Sequence, residues 1–197
     1  MNLMLKYNMA MEVLCNDIDT LIKEYVNKNN YNPVNHIEHR IKTLKSAYDK
    51  LEKKGYELTD DNLFTQIRDM VGYRIICNFL SEVEDVVKLI ESSKQLRIIS
   101  RKDYITHPKD SGYLSYHLIV EVPIYLSTGI EYITAEIQIR TLAMNFWAAL
   151  DHKIQYKFPG EEIPTEVADE LYDISVKARD LDTRMVELNE IMNKYKD

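Results

Sequence analysis

Apolar residues at Tyr7, Met11, Leu14, Ile18, Leu21 and Tyr25 recur in steps of four and three. That spacing places one stripe along one face of a helix and predicts a helix over 3–26. The cluster 27–33, with four asparagines and Pro33, is turn chemistry and ends it. After Pro33 the pattern reads two ways. Ile37, Ile41, Leu44, Tyr48 and Leu51 fit a helix, whereas His39 to Lys42 alternates like a short strand. Thr59 or Asp60 caps a short helix carrying Leu63, Phe64 and Ile67. The β-branched and aromatic run 71–79 predicts a central strand. Ser81-Glu82-Val83-Glu84 reads as a capping box that opens a helix to about Ser93, and 96–100 as a strand.

A polar loop over 102–115 contains Pro108 and Gly112. The segments 116–126 and 131–140 alternate as a hairpin of long strands, with Ser127-Thr128-Gly129 near the turn. Thr141 caps a helix to about Tyr156, and 158–164 is the clearest linker. Beyond it, Val167, Leu171, Ile174, Ala178, Leu181, Met185, Leu188 and Met192 keep strict four-three steps over a helix at 166–194. They form a coiled-coil-like seam of about four heptads, which the linker frees from the rest. The order of elements predicts an α/β (α+β) fold, a mixed sheet flanked by helices, with helical extensions at both ends. The segments are an N-terminal helix (1–30), a central domain (31–158) and a C-terminal helix suited to oligomerisation (159–197), all within one compact unit.

Composition narrows the class. Of 197 residues, 45% are apolar and 29% charged, which is ordinary globular content. Five glycines and five prolines disfavour a turn-rich sandwich. Cys15 and Cys77 are too few for a disulfide framework or a cysteine zinc site. No apolar run reaches the roughly 18 residues needed to span a bilayer. Lys6 and Glu12 break the apolar N-terminus, which does not read as a signal peptide. The expectation is a soluble cytoplasmic protein with no membrane partner. A net charge of −7 argues against coating DNA. Yet Arg40 to Lys54 holds six basic residues against two acidic ones, a local patch suited to a small, highly charged anion or to a plain solvated helix face.

Two acids sit in unusual places. Asp69 lies just before the apolar strand 71–79, and Glu136 lies inside another, where acids are depleted. Along 132–140, Tyr132, Thr134, Glu136, Gln138 and Arg140 share one face, opposite Ile133, Ala135, Ile137 and Ile139. Such a row is either a solvated sheet surface or a floor whose acid binds Mg²⁺ or accepts a proton. In the loop, Lys102 and Lys109 offer charges for phosphate, and Ser111 and Gly112 permit close backbone approach. Tyr113 offers a flat ring suited to stacking a base, and His117 follows on the next strand. Together they suggest a nucleotide with Mg²⁺, although no Walker A, dinucleotide, nucleophile-elbow or zincin motif occurs.

The segments RDMVGYRI (68–75), KDYITHPKDSGYLSYH (102–117) and EIQIRTLAMNFWAALDHKIQYK (136–157) resemble the RelA/SpoT synthetase domain. More narrowly, they resemble the small alarmone synthetases, the RelQ type of GTP pyrophosphokinase. The resemblance runs over about 30–158. It implies a nucleotidyltransferase-like fold and transfer of the β,γ-pyrophosphate of ATP to the 3′-hydroxyl of GDP or GTP. The products are ppGpp or pppGpp, plus AMP.

The resemblance also assigns residues. Asp69 falls on the Mg²⁺ ligand, and Glu136 on the acid that activates the hydroxyl or helps hold the metal. Arg40 and Lys42 fall on the pair that grips ATP, which favours a strand there. Ser46, Lys50, Lys53 and Arg74 fall on further ATP contacts. Tyr113 falls on the guanine-stacking ring, and Lys102, Lys109 and His117 on acceptor-phosphate contacts. Ser111, Gln138, Asn145 and Ala148 are weaker matches around the acceptor. It further implies a homotetramer and no hydrolase activity, because only about 30 residues precede the matching region. Relatives bind an allosteric alarmone through an aromatic and a threonine where this chain has His36 and Glu38, so product activation stays open. Alternatives are another acceptor on the same fold, an adenosine nucleotide or an RNA end, or a non-catalytic nucleotide-binding oligomeric regulator.

Overall fold

The structure, a computed structural model, describes residues 2–155, 157–158 and 163–195. Their elements run α1 (Leu3–Asn29), β1 (His36–Ile41), α2 (Leu44–Lys53), α3 (Asp60–Gln66), β2 (Val71–Cys77) and α4 (Leu80–Glu91). They continue with β3 (Arg97–Asp103), β4 (Tyr116–Leu126), β5 (Gly129–Thr141), α5 (Leu142–Gln155) and α6 (Thr165–Asn193). One mixed sheet has the order β1-β2-β5-β4-β3, parallel at β2–β5 and antiparallel elsewhere.

One face of the sheet is closed. Tyr7, Ala10, Met11, Leu14 and Ile18 of α1 pack with Val83, Val86, Val87 and Ile90 of α4 over Ile75, Leu118, Val120, Ala135, Ile137 and Ile139. Each Leu or Ile buried there contributes about 1.5–3 kcal/mol relative to exposure. The opposite face carries Arg40, Arg74, His117, Glu136 and Gln138.

Most boundaries follow the hydrophobic pattern, and the ambiguous 34–53 stretch resolves into an edge strand and a helix. Three expectations are corrected. The cap of α4 is set two residues earlier than the Ser81–Glu84 box, at Phe79. Glu82 accepts from the backbone N–H of Asn78 (2.7 Å) and Phe79 (2.9 Å), so the helix begins at Leu80. β3 extends into the expected loop as far as Asp103, because its ladder with β4 continues through Lys102 opposite His117. The third correction concerns the C-terminal seam, which is neither continuous nor free of the domain. Its first half docks: Leu171 is buried against Trp147 and Ala148, and the Trp147 indole N–H donates to the Leu171 carbonyl (2.8 Å). The docked line then runs through Ser175 and Asp182, leaving Leu181, Met185, Leu188 and Met192 exposed. A 3.5-residue repeat drifts around a straight helix, so one seam cannot face one neighbour along its whole length. Residues 159–162 of the expected linker lie outside the described residues.

Candidate active site

Asp69 occupies the turn that feeds β2, and the next residues are pinned by burial of Met70 and Val71. Its carboxylate faces the basic α2 side. Oδ2 accepts from Lys42 Nζ (2.5 Å) and Lys50 Nζ (2.9 Å). Burial by itself would raise this carboxyl's pKa, but the two lysines outweigh it and hold it below the ordinary value. Oδ1 is buried and has no hydrogen-bond partner among the described residues.

Glu136 stands at the centre of β5, opposite Gly72 on β2 and Ile119 on β4. Its Oε1 lies 3.2 Å from His117 Nδ1, and its Oε2 accepts from Gln138 Nε2 (2.9 Å). Burial pushes its pKa up, but the hydrogen bonds from His117 and the Gln138 amide prevail and leave it lowered. Asp69 and Glu136 line one cavity of about 190 Å³ together with Arg40, Gly72, Arg74 and Gln138. Among the described residues no cluster of three or more metal-type side chains occurs. Two carboxylates, one with an unpaired buried oxygen, suit Mg²⁺, which typically takes one or two carboxylates and fills its shell with phosphate oxygens and water.

A second cavity, of about 410 Å³, adjoins the first and shares Arg40, Arg74 and Gln138 with it. Tyr113, Arg140, Ala148 and, from the end of α5, Asp151, His152 and Gln155 complete its wall. Tyr113 is held on several sides. Its hydroxyl lies 2.8 Å from His117 Nε2 and accepts from the Arg140 guanidinium, while the Lys109 ammonium sits 4.8 Å from its ring centroid. The Tyr113 loop is pressed against α6 at Gly112. There φ is +85°, and an added Cβ would lie 2.2 Å from Ser175 Oγ, so only glycine fits.

The expected residues therefore divide. Asp69, Glu136, Arg40, Arg74 and Gln138 converge on the first cavity, with Lys42 and Lys50 bonded to Asp69. Tyr113 and Ala148 line the second, and Asn145 borders it as an acceptor for Arg140 (3.4 Å). Lys109 stacks on Tyr104 and Tyr113. His117 has both ring nitrogens engaged by protein groups. Ser46, Lys53, Lys102 and Ser111 are exposed and outside the lining of both cavities. Glu38 lines the first cavity and accepts from Arg74 Nη1 (2.8 Å).

Sequence reasoning passed over Arg140. It is 3% exposed and bonded to Tyr113, Ser115 Oγ (3.2 Å) and Asn145. Burial lowers its pKa, partly offset by Tyr113. Its signal was its place at the end of the alternating polar row 132–140.

The region found in RelA / SpoT proteins matches residues 39–161. The chain is 41% identical over 185 residues to the GTP pyrophosphokinase YwaC of Bacillus subtilis, covering 94% of this chain and 88% of that one. Among solved structures, small alarmone synthetase 2 from Bacillus subtilis superposes with a TM-score of 0.84 at 40% identity, covering 94% and 95% of the two chains. Small alarmone synthetase 1 from the same organism superposes with a TM-score of 0.85 at 32% identity when bound to its product pppGpp, covering 96% and 95%. Bound to AMPCPP, it superposes at 0.77 and 29% identity, covering 95% of each chain.

Proposed function

This chain belongs to the RelA/SpoT family, and from that membership we propose that it is a GTP pyrophosphokinase that makes (p)ppGpp. The observation that carries the reading is the pair of adjoining cavities. The acids Asp69 and Glu136 lie on one side, the Tyr113 ring on the other, and Arg40, Arg74 and Gln138 lie between them.

The reaction needs an in-line approach and dispersal of charge rather than covalent chemistry from the protein. The ribose 3′-oxygen of GDP or GTP attacks the β-phosphorus of ATP. The bond from that phosphorus to the oxygen bridging the α-phosphate breaks, and AMP leaves. Glu136, kept ionised by His117 and Gln138, takes the hydroxyl proton from a position that their hydrogen bonds preset. Arg40 and Arg74 offer planar donor forks to phosphate, while Lys42 and Lys50 act as point charges. Asp69 and Glu136 would hold Mg²⁺, which would neutralise charge on the transferring phosphates. Tyr113 stacks the guanine, with Asn145 and Ala148 at its rim.

The test is purified protein with labelled ATP, Mg²⁺ and each of GMP, GDP, GTP, ADP and a tRNA. The expected result is a 3′-pyrophosphorylated guanosine nucleotide and AMP from GDP or GTP. Label on ADP or tRNA alone would overturn the acceptor assignment.

The assembly is a homotetramer. Leu181, Met185, Leu188, Ile191 and Met192 form an exposed apolar run on α6, of a kind monomers avoid, and closed symmetry covers such runs in pairs. Light scattering should give about four times the 23.2 kDa chain mass, and Leu181→Asp should lower it. A monodisperse monomer at micromolar concentration would contradict the assembly alone.

A further inference from the structure

We infer that His117 is the positioning residue for Glu136, and that the Tyr113 hydroxyl, as distinct from its ring, holds His117 in the state that does so. The inference rests on the transfer reaction proposed above. A line of hydrogen bonds joins the two cavities: Arg140 to the Tyr113 hydroxyl, that hydroxyl to His117 Nε2 (2.8 Å), and His117 Nδ1 to Glu136 Oε1 (3.2 Å). Its direction is fixed from both ends. A guanidinium can only donate and a carboxylate can only accept. Arg140 therefore donates to the Tyr113 oxygen and Nδ1 carries the proton given to Glu136; in the neutral imidazole that leaves Nε2 bare, to accept the Tyr113 proton.

Packing holds the line in place. His117 is 9% exposed. The Tyr104 ring meets both others edge-on, with its centroid 5.3 Å from His117 and 5.9 Å from Tyr113. Gln138 occupies the remaining oxygen of Glu136, so each oxygen is held by a donor and the carboxylate cannot rotate freely. The ring that stacks the acceptor base is thus hydrogen-bonded, through one side chain, to the group that receives the acceptor's proton. Tyr113 has two separable duties, a face for the base and a hydroxyl that sets the geometry of Glu136.

The experiment separates them. Tyr113→Phe keeps the face and removes the hydroxyl. Its kcat should fall about 10- to 100-fold, as for a misplaced reacting group, with the KM for GDP little changed. His117→Ala should lose at least as much kcat. His117→Asn, which can offer an amide donor near the Nδ1 position, should recover part of it. Turnover of Tyr113→Phe equal to wild type, or a change in KM alone, would overturn the inference. A second readout needs no turnover. Nitrogen-15 spectra of the nucleotide-free protein should show His117 with the proton on Nδ1 and Nε2 bare, a state weakened in Tyr113→Phe. A proton on Nε2, with or without one on Nδ1, would overturn it. A wild-type protein that makes no product would defeat the transfer reaction, while the spectrum still decides the direction of the hydrogen-bond line.

Discussion

The two faces of β5 come from the same nine residues, 132–140, and obey different rules. Ile133, Ala135, Ile137 and Ile139 are fully buried beneath α1 and α4. Any side chain of similar volume and apolarity would do much the same there. On the other face, Glu136, Gln138 and Arg140 each depend on named partners: His117, Arg74, Tyr113, Ser115 and Asn145. On the proposed function, a one-residue step along the chain moves from a position that determines stability to one that determines rate.

The sharpest way to break that contrast is to exchange the effects. Ile137→Ala should cost about 2–5 kcal/mol of stability through lost transfer energy and a cavity, with little change in turnover per folded molecule. Denaturant unfolding paired with an active-site titration checks this. Next in size, Asp69→Asn and Glu136→Gln should each lower kcat by about 10²-fold or more while the fold, followed by circular dichroism, is retained. Near-wild-type turnover in either folded variant would remove the division between faces. Tyr113→Ala should raise the KM for GDP by a factor corresponding to about 1–3 kcal/mol of stacking, with the KM for ATP little altered. If ATP saturation shifts instead, the two cavities are assigned in reverse.

The smallest effect lies where α6 meets β5. Asp182 is buried, and its Oδ2 accepts from Thr141 Oγ1 (2.6 Å). Burial pushes its pKa up to about 6 from 3.8, against the Thr141 hydrogen bond. The folded state binds this proton more tightly than the unfolded one, so this site's contribution to stability falls as pH rises between about 4 and 6. Asp69 and Glu136 have lowered pKa values and act with the opposite sign, losing their contribution only at lower pH. Denaturant titrations at several pH values should show Asp182→Asn gaining on wild type by on the order of 1 kcal/mol as pH rises from 4 to 7. A constant difference would refute the shift.

The closed face was legible because burial writes itself as a period of two in strands and 3.6 in helices. The hairpin 116–141 and α1 follow from it, while the Thr59 and Thr141 caps follow from hydroxyls placed to accept from the first turn of a helix. β1 was ambiguous because it is an edge strand with most positions exposed, so its alternation is weak. The drift of the α6 seam escaped because heptad spacing describes a helix against a matching helix, and here the neighbours are α5, α4 and a loop. On the open face, Asp69 and Glu136 stood out as acids in apolar surroundings, and the basic patch as charge. Arg140 and Glu38 did not, because a buried arginine is identified only by partners far apart in sequence. The residues alone suggested a stacking ring at Tyr113 and a phosphate charge at Lys109, but their assignment to the guanosine acceptor came from family resemblance, since a Gly-Tyr loop alone is an ordinary turn.

The central claim is that the open face transfers pyrophosphate as one unit. It is tested most directly by following ATP labelled at the α-phosphate and, separately, at the γ-phosphate in reactions with GDP. The account predicts that γ-label moves to the guanosine product while α-label is recovered wholly in AMP. Recovery of α-label in ADP, which signals transfer of a single phosphate, or no transfer of γ-label to GDP, would contradict it.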